Sequence, residues 1–252
     1  TVLPQKENLL AGRHESGVAP HPWVGLFFCD VARPPLALQP LFCNDKTRQG
    51  TRHKESAMTE PTARRRARLA QVLAHRQPDL TLVLANIHDP HNVSAIYRSC
   101  DAFGVEEVHL YYTDTPFPTL GRKTSASARK WVESVRHRDR NDLLTALRAR
   151  NMQILATDCS PEAKPLRQWD FTRPTAVIMG NEHSGVASEL SAEADGGLYI
   201  PMYGMIQSFN VSVAAAVILA EAARQREAAG FYDSPRYAPE DLQQRLDAWL
   251  QK

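Results

Sequence analysis

Apolar positions along the chain follow two rhythms, and the alternation between them predicts the architecture. From Ala63 to Gln77 (ARRRARLAQVLAHRQ), Leu69, Val72 and Leu73 fall on one side of a helix that Pro78 helps to stop. Beyond it, short aliphatic runs read as strands and 3.6-residue periods read as helices. The order is strand Leu80 to Ile87, helix Asn92 to Phe103 closed by Gly104, strand Val105 to Tyr112, a long basic loop, and helix Asn141 to Arg150. Strands Gln153 to Thr157 and Ala176 to Gly180 follow, then a short helix near Val186 to Glu193, strand Leu198 to Pro201, a glycine-containing loop, and the long helix Asn210 to Ala228. Such alternation predicts an α/β fold, a mostly parallel sheet covered by helices on both faces. In the tail, Pro239 to Leu250 places Leu242, Leu246, Trp249 and Leu250 on one face of a terminal helix that must dock on something.

Residues 1–57 lack either rhythm and are rich in proline and turn formers, so they are expected to be a leader outside the fold, disordered or from a mis-assigned start. The remainder divides into a basic N-terminal helical segment (58–78), an α/β domain (79–229) and a C-terminal helical extension (230–252). No apolar run approaches the roughly 20 residues of a membrane span. Cys29, Cys43, Cys100 and Cys159 form neither a CxxC pair nor a zinc-spaced cluster, so no metal is expected and a reducing cytoplasm fits best. Net charge is only +2, so any case for nucleic acid rests on how charge is distributed. Arg64, Arg65, Arg66, Arg68 and Arg76 crowd the first helix without acidic partners at i+4, which makes them candidates for phosphate contact rather than a solvated face.

Three segments carry candidate chemistry, each where a strand runs into a loop, the place where α/β proteins bind ligands. In LANIHDPHNVSAIYRSCDAFGV, Asn92 can cap the helix; Val93, Ile96, Cys100 and Phe103 share its buried face, and Arg98 points away, either merely solvated or free to meet a ligand. In TAVIMGNEHSGV, two glycines bracket Glu182: Gly180 can let a ligand approach the backbone, or the segment is an ordinary strand-to-helix turn. In LYIPMYGMIQSFNVSVAAAVILAEAARQ, Ser208 or Asn210 caps a helix rich in small residues, or the free N–H groups there bind a carboxylate or phosphate.

The three segments, in this order, resemble the signature motifs of the SpoU-class RNA ribose methyltransferases of the SPOUT superfamily. Over residues 58–252 the likeness is to the bacterial tRNA (guanosine-2'-O-)-methyltransferases of the TrmH family, because it extends to the basic leading helix, the SARKW loop around Lys130 and the tail FYDSPR. The resemblance implies a deep trefoil knot in the parallel sheet, which no periodicity could reveal, and S-adenosylmethionine as cofactor. It implies cofactor contacts at Thr157, Gly180, Ile200, Ser208 and Phe209, largely through the main chain; Phe209 stands where an aliphatic residue is common.

By the same resemblance Arg98 is the catalytic arginine, and Asn92, Glu182, Ser208 and Asn210 are its polar companions. A guanidinium, with its pKa above about 12, suits a donor that stabilises an alkoxide; a neutral Arg98 acting as base is the competing version. An obligate homodimer whose sites are completed across the interface is also implied, with tRNA as substrate and the D-loop guanosine at position eighteen as target. RNA would follow the first-helix arginines and the loop bearing Arg122, Lys123, Arg129, Lys130, Arg136 and Arg138, where Trp131 either stacks on a base or packs. Ribosomal RNA methylation by the same chemistry is the nearest alternative, and a non-catalytic RNA-binding dimer a distant one.

Overall fold

The computed structural model describes residues 62–119 and 128–252. The leader 1–57, Arg122 and Lys123 lie outside the described residues. Among the described residues, seven parallel strands form one sheet in the order β3-β2-β1-β6-β4-β7-β5. These are β1 (Leu80–Ala85), β2 (Glu107–Tyr111), β3 (Glu133–His137), β4 (Gln153–Thr157), β5 (Lys164–Pro165), β6 (Thr175–Met179) and β7 (Gly196–Tyr199). Every residue of β1 and β6 is buried, as continuous aliphatic runs at the centre of a two-faced parallel sheet must be.

Helices cover both faces, as the alternation predicts. On one, α2 (Pro90–Ala102) and α5 (Val211–Ala228) set Val93, Ile96, Cys100, Ala215, Ile218 and Leu219 against Leu82, Leu84, Val108 and Val177. On the other, α3 (Arg140–Arg148) and α4 (Ser188–Ser191) set Leu143, Leu147 and Leu190 against Val83, Ile154, Ala176 and Ile178. The terminal helix α6 (Pro239–Leu250) docks on α1 (Ala63–Ala74), burying Leu69, Leu73, Leu246 and Trp249 together.

Several expectations need correction. The long basic loop contains β3, whose sequence ESVRH has no aliphatic run because it is a sheet edge with mostly exposed side chains. Asn92 does not cap α2: Asp89 accepts from the His91 N–H at 2.8 Å and Pro90 opens the helix, which leaves Asn92 inside the first turn. The first helix ends at Ala74, and Arg76 is not a phosphate contact. It is fully buried, donating to the Val105 carbonyl (2.8 Å) and Asp101 (2.6 Å) and lying over the Trp249 ring. Trp131 packs against Trp249, ring centroids 4.9 Å apart, which resolves its role toward packing.

Candidate functional site

The carboxyl ends of β1, β6, β4 and β7 lie side by side, because those strands are neighbours in the sheet. The loops leaving them therefore share one rim, and Asn92, Glu182 and Asn210 sit on it, whereas Arg98 lies six residues further along α2. Their side chains form a chain of hydrogen bonds. Asn92 donates from Nδ2 to Glu182 Oε1 at 2.6 Å, and Asn210 donates from Nδ2 to Asn92 Oδ1 at 3.1 Å. The remaining Asn210 oxygen accepts from the Ser212 N–H (2.9 Å) and hydroxyl (2.6 Å), so Asn210, not Ser208, caps α5. Residues 90 and 118 positions apart are thus locked in one arrangement, each amide having a donor and an acceptor to place.

Each loop is shaped for this. Asn181 Oδ1 accepts from the N–H groups of His183 (2.9 Å) and Ser184 (2.8 Å), and the Asn181 and Gly185 backbones exchange hydrogen bonds, so residues 181–185 form a tight loop that presents Glu182. Gly180 must be glycine, since a methyl there would overlap the backbone of Gly185 and Val186. Arg98 lies on the exposed face of α2, opposite buried Val93, Ile96 and Cys100, and has no ion-pair partner among the described residues. Asp89 was missed by sequence reasoning, although the Asp-Pro pair opening the helix was its signal.

The expected cofactor residues stand at the exits of β4, β6 and β7. Thr157 donates to the Ile178 carbonyl at 3.0 Å, and the Asp158 N–H donates to the Leu198 carbonyl at 3.0 Å, tying the three exits together. Gly180 is buried, Ile200 packs on the core, and Ser208 and Phe209 are exposed. The missing side chain of Gly180 makes room for the Gly185–Val186 backbone rather than for a ligand, contrary to the open approach expected there from the sequence. The main-chain groups of the exits and the apolar Ile200 and Phe209 suit a ligand with an adenine ring and a polar tail. Of the basic residues, Arg64, Arg65, Arg66, Arg68, Arg129 and Lys130 are exposed. No group of three or more His, Cys, Asp or Glu side chains among the described residues is arranged to hold a metal, and no helix among them is long and apolar enough to cross a membrane.

A parallel α/β sheet with its polar site on the carboxyl rim defines a protein that binds a ligand across adjacent strand exits. Residues 79–220 match the model of the SpoU rRNA Methylase family, and the chain belongs to that family. It is 49% identical over 195 residues to a tRNA (guanosine(18)-2'-O)-methyltransferase of Thermus thermophilus, spanning 77% of this chain and 100% of that one. To the enzyme of the same name from Escherichia coli it is 47% identical over 183 residues, 72% of this chain and 80% of that one. Among solved structures, the Aquifex aeolicus TrmH/SpoU tRNA modifying enzyme superposes with a TM-score of 0.70 at 39% identity, covering 75% of this chain and 95% of that one. The SpoU methyltransferase AviRb of Streptomyces viridochromogenes, in complex with AdoMet, superposes with a TM-score of 0.51 at 25% identity, covering 62% and 59%.

Proposed function

We propose that the protein transfers a methyl group from S-adenosylmethionine to the ribose 2'-oxygen of the guanosine at position eighteen in the tRNA D-loop. The observation that carries this is the hydrogen-bonded chain Glu182–Asn92–Asn210, on a rim whose neighbouring exits suit the cofactor, with an unpaired Arg98 exposed on the helix that bears Asn92. Relatives that are 47–49% identical over 183–195 residues and bear the name tRNA (guanosine(18)-2'-O)-methyltransferase support the substrate.

Thr157, Gly180, Ile200, Ser208 and Phe209 hold the cofactor, which when bound supplies an electrophilic methyl group. The chain's own residues then have two tasks: to place the ribose hydroxyl in line and to accommodate the charge it gains as it loses its proton. Arg98 is a permanent cation that donates hydrogen bonds, so it stabilises the developing alkoxide while the hydroxyl proton passes to solvent, with a substrate phosphate as the guanidinium's other partner. Asn92 is held at both ends, by Glu182 and Asn210, and so keeps a fixed amide orientation on the helix that bears Arg98. Glu182 anchors that amide and orients the ribose, while Ser208 and Asn210 fix the third loop.

The active form is a homodimer whose sites are completed across the interface. Tyr203 (98% exposed), Met205 (100%), Ile206 and Val213 form an apolar surface on the third loop and the start of α5, and sedimentation should find two chains per particle. The trefoil knot implied by the family resemblance belongs to the same reading, with β6 placed between β1 and β4 and β4 between β6 and β7. The setting is the cytoplasm, and RNA approaches over the α1 arginines and the Arg129–Lys130 turn.

The test is methyl transfer from labelled S-adenosylmethionine to unmodified tRNA, with the product nucleoside identified by mass spectrometry. The expected product is 2'-O-methylguanosine in the D-loop. Label in ribosomal RNA alone would keep the chemistry and overturn the substrate.

A further inference from the structure

Beside the rim just described, a second cleft of about 360 Å³ opens at the carboxyl end of β2, between the start of α3 and residues 187–190. Its lining includes Tyr111, Arg138, Arg140, Asn141, Glu189 and Leu190. That volume lies at the low end for small-ligand sites and suits a planar ring system better than a whole nucleotide. The cleft is next to the proposed reaction site. β2 is paired with β1, one strand spacing of roughly 4.8 Å away. The exits of the two strands are tied where Asn86 donates to Thr113 Oγ1 at 3.0 Å and accepts from the Thr113 N–H at 3.0 Å. The far wall, through Glu189, is the continuation of the loop that presents Glu182.

The chemistry of the lining is mixed in a telling way. Arg138 is committed to the loop after β2, donating to the carbonyls of Tyr112 and Thr115 at 2.9 Å and lying over the Phe117 ring. Arg140 is freer, its one described hydrogen bond being a 3.4 Å contact to the Glu189 carbonyl. The Glu189 carboxylate has no hydrogen bond or ion pair with any described residue. Arg140, Asp139, Asp114 and Glu189 all lie within electrostatic reach of the Tyr111 hydroxyl. A site for phosphate alone would not place free acidic groups beside its arginine. An unstacked base fits better, because proteins read single-stranded RNA by stacking on aromatic or guanidinium planes and bonding the Watson–Crick edge. Of the bases, guanine presents two adjacent donors there, N1–H and the 2-amino group, which one ionised carboxylate can accept together.

We propose that this cleft takes the base of the guanosine whose ribose is methylated, with Glu189 accepting from N1–H and the 2-amino group and with Tyr111 and Arg140 as its stacking surfaces. Glu189 is then a specificity-determining residue. The inference rests on the methyl-transfer reading above, and the test separates the two.

Single-turnover methyl transfer is compared on synthetic tRNA carrying guanosine or inosine, which lacks the 2-amino group, at the target position, for the wild type, Glu189→Ala, Glu189→Gln and Arg140→Ala. The wild type should prefer guanosine. Both Glu189 variants should lose that preference to near unity, with guanosine rates lowered roughly 5- to 150-fold. Arg140→Ala should slow both RNAs equally, and cofactor binding by calorimetry should match the wild type in every variant. A wild type that treats the two RNAs alike, or Glu189 variants that keep its preference, would overturn the base cleft while leaving methyl transfer intact. A wild type that transfers methyl to no tRNA would overturn the parent reading and the cleft together.

Discussion

The two ends of the sheet use arginine in opposite ways. At the amino ends of the strands, arginines are tied into the fold: Arg226 and Arg76 are fully buried and Arg150 half-buried, and of their buried side-chain nitrogens only the Arg76 Nε lacks a partner among the described residues. Arg226 donates to Asp79 Oδ1 (2.5 Å), Gln77 Oε1 (3.1 Å) and the carbonyls of Phe171 (2.9 Å), Asp79 (3.2 Å) and Arg173 (3.2 Å). Arg76 bridges α1 to Asp101 and Val105, and Arg150 ties Glu107 to the Pro78 carbonyl. By contrast, Arg98 on the outer face of α2 is exposed without an ion-pair partner among the described residues, and Arg140, half-buried at the carboxyl end of β3, has only a 3.4 Å contact to the Glu189 carbonyl. A charge removed from water is tolerated only when its donors are satisfied, so the buried arginines are part of the fold. The other two are available to an anionic substrate, and the same residue type marks structure in one place and function in the other.

Opposite substitutions test this division. Arg98→Ala should lower single-turnover methyl transfer by roughly 10²- to 10⁴-fold, the range for a positioned group acting in the transition state, while thermal unfolding stays at the wild-type temperature. Arg98→Lys, followed across pH, separates stabiliser from base: an electrostatic role retains partial, pH-flat activity, whereas a base role gives a rate that climbs with pH. Arg226→Met should do the reverse. It removes the buried cation from Asp79 Oδ1, leaving only Arg236 on Oδ2, and leaves the Phe171 carbonyl without a described donor. The cost is about 3–5 kcal/mol, and calorimetry should show a midpoint lower by roughly 10 °C. An Arg226→Met variant that lost activity but kept its stability, or an Arg98→Ala variant that lost stability, would erase the distinction.

Midway along the sheet lies a group that belongs to neither end. His109 is buried, with Nδ1 2.9 Å from His137 Nε2 and Nε2 3.2 Å from Glu107 Oε1, and His137 Nδ1 is 2.6 Å from Asp142 Oδ2. Burial pulls the His109 pKa down to about 4, against the opposing pull of Asp142. At neutral pH His109 is therefore uncharged, and its contact with Glu107 is not an ion pair. Between the unfolded value near 6.5 and about 4, the unfolded chain holds a proton that the folded chain refuses. Stability from this site is present above pH 6.5 and is lost as pH falls toward 4, by about 3 kcal/mol for a shift of this size. Urea titrations of His109→Asn should show a shallower loss over that window than the wild type; equal slopes would remove His109 as the cause.

How much of this was legible beforehand depended on whether a residue's partners were local. The buried stripes of α2 and α5 and the aliphatic runs of β1, β4 and β6 are set by burial on a fixed period, so the alternating pattern announced them. β3 was not legible, since Glu133, Ser134 and Arg136 are polar and largely exposed on an edge strand and leave no apolar signature. Arg98 and Arg76 looked equally basic. What separates them is Asp101 and Trp249, 25 and 173 positions from Arg76, which only the folded chain brings near. The Glu182–Asn92–Asn210 chain was foreseen as three loops but not as a hydrogen-bonded unit, because its links span 90 and 118 positions. The cleft at Tyr111 had no signature at all, being a space between elements.

The smallest expected effect is the most exacting test of the contrast between arginines, because it lies within one short segment. Arg64, Arg65 and Arg68 are exposed on α1, whereas Arg76, two residues past its end, is fully buried. If the exposed three meet phosphates, each should release condensed counterions when tRNA binds. Replacing one by alanine should then lower affinity about threefold or less and reduce the slope of log K against log salt by about one. The melting temperature should not move, since none of the three is buried or holds a long-range contact. Arg76→Ala should behave in the opposite sense: the salt slope stays, and stability falls because Asp101 and the Val105 carbonyl lose their donor. Filter binding of tRNA from 50 to 200 mM salt, with a thermal melt of each variant, places every arginine on one side or the other. Should Arg76→Ala change the salt slope while Arg64→Ala and Arg68→Ala leave it alone, burial would have failed as the criterion, and the RNA path would have to be sought away from α1.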